Sequence, residues 1–168
     1  MNFFENMNEN LKNIKKKIKA IIFDVDGVIF NTHDEKGNYR WSRDIKKDLG
    51  LTSMHLAAIF SEKWESIIMG KIDFSYYLET LFEDRLFQNI SITPQQFIQY
   101  WLIQDQQVHQ DILDFVKSLK IPCYLGTNQE ALRTCHILNT VGSYFKGCFA
   151  SYKMGFIKPE KEFFQYIQ

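Results

Sequence analysis

The sequence predicts an α/β fold: a parallel-sheet core that carries an inserted all-helical cap. Three observations lead to this prediction. A short apolar run, residues 20–23, ends in two aspartates, and similar short apolar runs recur after residue 120, separated by amphipathic stretches. Between them, residues 41–105 show the three- and four-residue apolar spacing of helices. Strands that alternate with helices form parallel sheets, so the helical stretch is an insert that follows the first strand.

Composition allows one packed core and a small insert, and it gives no reason to expect a polyanionic partner. The chain has 168 residues, of which 45% are hydrophobic and 15% aromatic. Lysine and arginine number 20, and aspartate and glutamate also number 20, so the net charge is zero. No overall field attracts this chain to nucleic acid or to a membrane surface, and we expect neither as a partner.

The cysteines and histidines do not have the spacing of a metal site. The three cysteines, Cys123, Cys135 and Cys148, contain no C-x-x-C pair, which argues against both zinc and a disulfide framework. The four histidines form no H-x-x-x-H pair. Unpaired thiols are typical of a reducing compartment, so we expect a cytoplasmic protein.

Residues 1–18 are predicted to be an N-terminal extension. The first ten are mostly polar, and Leu11, Ile14 and Ile18 then follow with helical spacing among several lysines. A basic amphipathic helix can lie on a membrane surface, but a stripe of three apolar residues favours a short solvated helix.

The first strand is predicted over residues 20–23, buried on both faces, with two carboxylates at its carboxyl end. Asp24 and Asp26 are separated by Val25, which is predicted to point into the core while both carboxylates point the other way. Gly27 allows the chain to turn sharply after them. Open α/β sheets bind their ligands at this edge, so the aspartates are candidate site residues.

The insert is predicted to be a small helical bundle. Residues 28–39 are interpreted as a flap with a turn at Gly37-Asn38. This flap belongs to the first core segment, residues 19–40. Four helices are predicted to follow, each with a stop or cap signal: residues 41–49 before Gly50, 54–69 after Ser53, 74–87 after Asp73, and from Pro94 after Thr93. Their apolar stripes are typical of a bundle core rather than of a cofactor site.

The α/β pattern resumes in the second core segment, residues 106–168. Helices are predicted over residues 111–120, 130–139 and 160–168, strands over 121–125 and 145–150, and a loop over 151–157. Polar residues follow these strands as well: Thr127 and Asn128 after the second, and Lys158 in the loop after the third. Each has an ordinary structural explanation, as a strand-end cap or a solvated lysine, but together they predict one site with Asp24 and Asp26.

The order of these residues resembles the haloacid dehalogenase superfamily of hydrolases, in its phosphatase branch with a helical cap. The resemblance rests on residues 23–28 (FDVDGV), residues 126–128 (GTN) and residues 151–160 (SYKMGFIKPE). It covers roughly residues 19–168 and is weakest through the cap. It implies a Rossmann-like core and a Mg²⁺-dependent phosphatase of small phosphorylated metabolites, sugar phosphates among them.

The resemblance also implies residue roles. Asp24 is expected to be the nucleophile that forms an aspartyl-phosphate, and Asp26 the general acid and base. Mg²⁺ is expected on the Asp24 carboxylate and the Asp26 backbone carbonyl. Thr127 is expected to hydrogen-bond the phosphate, and Lys158 to offset negative charge. Substrate binding is expected at Thr127 and Lys158, and also at Gly27 and Asn128.

One part of the family pattern is missing, which opens an alternative. In the family an acidic pair follows the lysine by about twenty residues, whereas no such pair follows Lys158 in this sequence. The expectation is a fragment or a C-terminally truncated chain whose phosphatase activity is impaired. In the family the strand that carries the acidic pair lies next to the first strand, so the resemblance also implies that the first strand is a bare edge of the sheet. The alternative is a non-catalytic remnant of the fold that binds phosphate or a partner. Dehalogenation is disfavoured because departure of a halide needs no acid such as Asp26.

Overall fold

The computed structural model describes residues 18–167 and contains the predicted parallel sheet. Its three strands, β1 (Ile21–Phe23), β2 (Cys123–Thr127) and β3 (Cys148–Ala150), lie in the order β1-β2-β3, and both pairings are parallel. The predicted α/β class is therefore confirmed. The helix expected within the N-terminal extension lies almost entirely outside the described residues.

Helices connect and flank these strands. Between β1 and β2 lie α1 to α6, and after β2 lie α7 to α9. Their bounds are α1 Ile45–Leu49, α2 Ser53–Ile59, α3 Trp64–Ile68, α4 Phe74–Phe82, α5 Pro94–Gln104, α6 Gln110–Ser118, α7 Ala131–Val141, α8 Ser151–Met154 and α9 Lys161–Tyr166. Short 3₁₀ turns occur at Arg40–Ser42, Arg85–Phe87 and Gly142–Tyr144. No helix among residues 18–167 is long and apolar enough to cross a membrane.

The first strand forms an edge of the sheet among residues 18–167, as the family resemblance implied, and it is not buried on both faces, contrary to what its apolar run alone predicted. Ile22 is 41% exposed, because within residues 18–167 the strand pairs only with β2 and so forms an edge of the sheet. The central strand, β2, is the buried one, and Leu125 is fully inaccessible. Val25, the second residue after β1, is fully buried as predicted.

The helix predicted over residues 54–69 is in fact two helices, α2 and α3. The backbone carbonyl of Ala58 accepts a hydrogen bond of 2.6 Å from the Tyr77 hydroxyl. The Ser61 hydroxyl oxygen lies 3.1 Å from the hydroxyl oxygen of Tyr77. In a continuous helix the Ala58 carbonyl would accept from the amide four residues later. A side chain from α4 therefore takes part in breaking the helix, which local sequence does not reveal.

Two of the predicted helix caps are present, and a third lies one residue before its predicted position. The Asp73 side chain accepts from the amide of Tyr76, and Thr93 forms a capping box with Gln96, both as predicted. The cap before α2 is Thr52 rather than Ser53. The helix predicted over residues 74–87 ends at Phe82, and the one over 41–49 is a 3₁₀ turn followed by α1.

The buried apolar side chains form two clusters, and these correspond to the insert and the sheet core. The larger cluster runs from Trp41 to Trp101 and contains residues of the predicted insert alone. The smaller surrounds β2 and includes Val25, Phe30 and Ile137. Each part thus has its own packed interior, although the division into domains at residues 40 and 105 stays a prediction.

Candidate active site

The predicted site residues meet at the carboxyl ends of the strands. A pocket of about 340 Å³ is lined by residues that follow β1, β2 and α8: Asp24, Asp26, Thr127, Asn128, Lys158 and Pro159. Parallel strands with right-handed crossovers bring these ends to one edge of the sheet. Asp24 and Asp26 therefore share this pocket with three predicted positions that are distant from them in sequence, Thr127, Asn128 and Lys158.

Asp24 is the first carboxylate of the pocket lining. Its Oδ1 accepts a hydrogen bond of 2.7 Å from the amide of Val25 and lies 2.6 Å from Nζ of Lys158. Half of the Asp24 side chain remains exposed, against 22% of the lysine. The carboxylate is thus oriented by two donors while a face of it stays open to the pocket.

Lys158 is held in place through both its side chain and its backbone. Its Nζ also donates to the carbonyl of Gly126 at 2.9 Å. The Asn128 side chain accepts from the amide of Lys158 at 2.7 Å and donates to its carbonyl at 2.9 Å. Asn128 therefore fixes the loop that delivers the lysine, and its predicted substrate contact stays a prediction.

Thr127 and Gly27 occupy the positions that the strand ends give them. Thr127 is the last residue of β2 and is 1% exposed, beside Asp24 and Lys158 in the pocket lining. Gly27 lies in the left-handed region, with φ of 75°, and its amide donates to the carbonyl of Phe30 at 2.8 Å. The structure shows Gly27 in a tight turn, and its predicted substrate contact stays a prediction.

Asp26 faces the same pocket, but both of its carboxylate oxygens have partners within the chain. Oδ2 accepts from the Gln129 side chain at 2.5 Å, and Oδ1 accepts from Nη2 of Arg133 at 2.9 Å. These two bonds fix the orientation of the Asp26 carboxylate, although about one-third of the side chain is exposed. A general acid or base depends on such fixed geometry.

Arg133 is the residue that the sequence reasoning missed. It lies on α7, is 1% exposed, and its Nη2 bridges Asp26 to Asp105, whose Oδ2 is 2.6 Å away. The guanidinium also lies over the rings of Phe30 and Trp101, at 5.4 Å and 5.8 Å from their centroids. A signal was present: Arg133 precedes two buried apolar residues at helical spacing, Ile137 and Val141.

Burial controls the ionisation of the side chains around Arg133. Burial raises the pKa of Asp105 to about 6, although the charge of Arg133 works in the opposite direction. Burial also raises the pKa of Glu130, whose side chain caps α7, and that of Tyr39, where the nearby carboxylates of Asp26 and Asp105 add to the effect. Burial penalises charged forms, and here it outweighs the neighbouring cation.

A second cavity, of about 410 Å³, adjoins the first, since Asp26 and Asn128 line both. Its floor comes from the sheet core, where Gln129 and Arg133 follow β2. Its walls come from the insert and the segment before it: Tyr39, Trp41, Ser42, Leu56, Phe60, Trp64, Trp101 and Asp105. The cavity therefore lies between the two apolar clusters.

The donor set of the smaller pocket is compatible with a magnesium ion. Among residues 18–167 no three His, Cys, Asp or Glu side chains are grouped as a metal-binding cluster. Mg²⁺, however, commonly takes one or two carboxylates and fills its octahedron with waters and phosphate oxygens. The half-exposed carboxylate of Asp24, with Asp26 in the same pocket lining, provides such a partial set.

The chain belongs to the haloacid dehalogenase-like hydrolases. The family model described as "Hydrolase: haloacid dehalogenase-like hydrolase" matches residues 18–167, which is nearly the whole chain. Among curated proteins, no sequence matches.

Solved structures share the fold. A HAD family enzyme, BT-2542 from Bacteroides thetaiotaomicron, crystallised as a magnesium complex, superposes with a TM-score of 0.70 at 22% identity, over 89% of this chain and 76% of that one. A HAD-like family hydrolase from Porphyromonas gingivalis gives 0.64 at 19% identity, covering 89% and 74%. The HAD-hydrolase YfnB from Bacillus subtilis, bound to magnesium, gives 0.55 at 23% identity, covering 89% and 72%. The predicted fold and family are thereby confirmed.

Proposed function

We propose that this protein hydrolyses phosphate monoesters of small metabolites, with Mg²⁺ as its cofactor. The observation that carries the proposal is the 2.6 Å contact between Asp24 Oδ1 and Lys158 Nζ, in a pocket that Thr127 also lines. A carboxylate held beside a cation and a hydroxyl, with one face exposed, suits attack on a phosphoryl group whose negative charge the neighbours offset.

In the first step, an oxygen of the Asp24 carboxylate attacks phosphorus and forms an aspartyl-phosphate. The bond between phosphorus and the ester oxygen breaks, and its electron pair leaves with that oxygen. Asp26, in its protonated form, supplies the proton that converts the leaving oxygen to an alcohol. Lys158 and Thr127 stabilise the charge on the equatorial phosphoryl oxygens during this transfer.

In the second step, Asp26 accepts a proton from water as the water oxygen attacks phosphorus. The bond between phosphorus and Asp24 breaks, which releases inorganic phosphate, restores the Asp24 carboxylate and leaves Asp26 protonated again. Gln129 and Arg133 hold the Asp26 side chain, so the same group remains near the reaction centre in both steps.

Mg²⁺ would be held by the Asp24 carboxylate and the backbone carbonyl of Asp26. When bound, it would neutralise phosphate charge next to the nucleophile. Similar proteins support this cofactor, because BT-2542 was crystallised with magnesium and, in another crystal, with magnesium and inorganic phosphate. The division into two domains predicted from the sequence also belongs to this proposal. So does the predicted cytoplasmic location, which three unpaired cysteines in the described part of the chain support.

The test is phosphate release from p-nitrophenyl phosphate with and without Mg²⁺. Asp24→Asn should abolish turnover, whereas Asp111→Asn, an exposed aspartate at the start of α6, should not. Activity that survives Asp24→Asn would overturn the proposed nucleophile. The reduced turnover predicted from the sequence is tested by the rate of the unmutated chain. If that chain is inactive but binds inorganic phosphate in a Lys158-dependent manner, the non-catalytic alternative is correct.

A further inference from the structure

The residues of the larger cavity indicate which alcohol the proposed substrate releases. Asp26 lines both cavities, and the smaller one contains Asp24 and Lys158. If phosphorus is attacked by Asp24 and the leaving oxygen is protonated by Asp26, the group attached to that oxygen extends past Asp26 into the cavity of about 410 Å³. Cavities of this size enclose most of the surface of a small organic group.

The walls of this cavity are aromatic and rigid. The rings of Phe60, Trp64 and Trp101 pack edge to face, with centroids 4.8 to 6.2 Å apart. Trp41 adds a fourth ring, 5.7 Å from Phe60 and 6.2 Å from Trp101. Edge-to-face packing fixes the ring orientations, so these side chains present a preformed apolar surface.

Several polar side chains of the cavity are already bonded within the chain, whereas Nη1 of Arg133 is buried without a hydrogen-bond partner among residues 18–167. Asp26 is bonded to Gln129 and Arg133, and Arg133 also to Asp105. The Ser42 hydroxyl donates to the carbonyl of Tyr39 at 3.0 Å. Asn128, as described above, is bonded to the backbone of Lys158.

These bonds argue against a polyol as the leaving group. A sugar would have to give up several hydrogen bonds to water, and the buried Nη1 of Arg133 could replace only part of them, which is costly. An anionic leaving group is also disfavoured, because two carboxylates line the cavity, Asp26 and Asp105, against the single guanidinium of Arg133.

We propose that the cavity selects phosphate monoesters of apolar primary alcohols that carry an aromatic ring. The inference rests on the proposed function and gives it a substrate class. The ring of the alcohol would lie against Phe60 and Trp64, and its ester oxygen would face Asp26. The cavity then discriminates by removal of apolar surface from water rather than by hydrogen bonds to hydroxyl groups.

The test compares esters of primary alcohols, so that leaving-group reactivity is similar. The probes are 2-phenylethyl phosphate, glucose 6-phosphate and phosphocholine, and the readout is kcat/KM for phosphate release. We expect 2-phenylethyl phosphate to be preferred by about tenfold or more, since burial of a ring-sized apolar group is worth at least that factor. Preference for glucose 6-phosphate overturns the inference, and preference for phosphocholine would show that the rings bind a cation instead.

Two variants and a control connect the preference to this cavity. Trp64→Leu removes a ring from the wall and should lower the preference about fivefold or more, whereas Leu56→Phe fills the cavity and should exclude the phenylethyl group. Tyr76→Ala, at a residue 68% exposed and outside the cavity, should leave the preference unchanged. An unchanged preference in both cavity variants contradicts the proposal.

A binding measurement separates this inference from the proposed function. Titration of Asp24→Asn with 2-phenylethanol should change the fluorescence of the cavity tryptophans, with no such change for glucose. If no ester is hydrolysed but 2-phenylethanol binds, the proposed function is wrong and the apolar specificity stands. If esters are hydrolysed and 2-phenylethanol does not bind, the specificity is wrong and the hydrolase stands. Absence of both rejects both.

Discussion

Nζ of Lys158 lies 2.6 Å from Oδ1 of Asp24 and 2.9 Å from the carbonyl oxygen of Gly126. The lysine is therefore directed by an acceptor on β2 toward the carboxylate that follows β1. An ammonium group has three donors, and these two contacts use two of them. The third is left for a phosphoryl oxygen of the substrate that we propose.

We predict that Lys158→Met lowers kcat/KM for phosphate release by about 10² to 10³, the usual effect of removing one preorganised charge-stabilising donor. The loss should appear without a comparable loss of stability, because the ion pair is partly solvated. Lys161→Met, an exposed lysine on α9, is the matched control and should retain activity. Steady-state kinetics and thermal unfolding of both variants check this, and equal kinetics would reject the role of Lys158.

Arg133→Met is predicted to lower the free energy of unfolding by about 3 to 5 kcal/mol, since it leaves the buried carboxylate of Asp105 without its cation. The double variant Arg133→Met with Asp105→Asn should recover part of this loss, because the uncompensated charge is gone. Urea titration of the single and double variants measures both values. If the double variant is no more stable than Arg133→Met alone, the ion pair is not the reason for the loss.

Asp105 should make stability depend on pH between about 4 and 6. Burial raises its pKa from 3.8 to about 6 in the folded chain. The folded state therefore holds this proton more tightly than the unfolded state, and the resulting stabilisation is present below pH 3.8 and lost as the pH rises through 6. Its size is up to about 3 kcal/mol, at 1.36 kcal/mol per pKa unit.

The measurement for Asp105 is a difference between two proteins. Denaturant unfolding of the wild type and of Asp105→Asn, from pH 4 to pH 7, isolates this group from the other carboxylates. The wild type should lose stability relative to the variant as the pH rises. A constant difference across this range would show that the carboxyl of Asp105 does not titrate there.

Gly70→Ala should destabilise the chain more than Gly37→Ala does. Both glycines have positive φ, 71° and 81°, so alanine costs roughly 1 to 2 kcal/mol at either position. At Gly70 an added Cβ would also collide with the backbone carbonyl of Tyr152, whereas at Gly37 it meets nothing within 4 Å. Thermal unfolding of the two variants gives the comparison, and equal losses would show that the backbone of Tyr152 yields to the methyl group.

Local signals predicted the parts of this structure that depend on local chemistry. The strand ends that carry Asp24 and Thr127 follow from short apolar runs, and the caps at Asp73 and Thr93 follow from side chains that bond nearby amides. The grouping of Lys158 with Asp24 was predicted from topology and family resemblance, and the structure brings the two side chains into contact.

Distant partners explain what the sequence did not reveal. The helix over residues 54–69 is divided where the Tyr77 hydroxyl from α4 bonds to Ala58. Residues 151–157 were expected to be a loop, but they begin with α8, at whose first turn the buried Ser151 hydroxyl donates to the carbonyl of Ile68 at 2.5 Å. Arg133 was not singled out from the sequence, because the two carboxylates that contact it belong to distant segments of the chain.

Nη2 of Arg133 links the segment that follows α5 to the segment that follows β1, because it contacts both Asp105 and Asp26. Asp105 directly follows α5, the helix that supplies Trp101, whereas Asp26 follows the first strand. Any outward displacement of α5 that admits a substrate must either break the 2.6 Å ion pair or pull the guanidinium along with it. In both cases the environment of the Asp26 carboxylate would change, because the same nitrogen of Arg133 contacts both carboxylates.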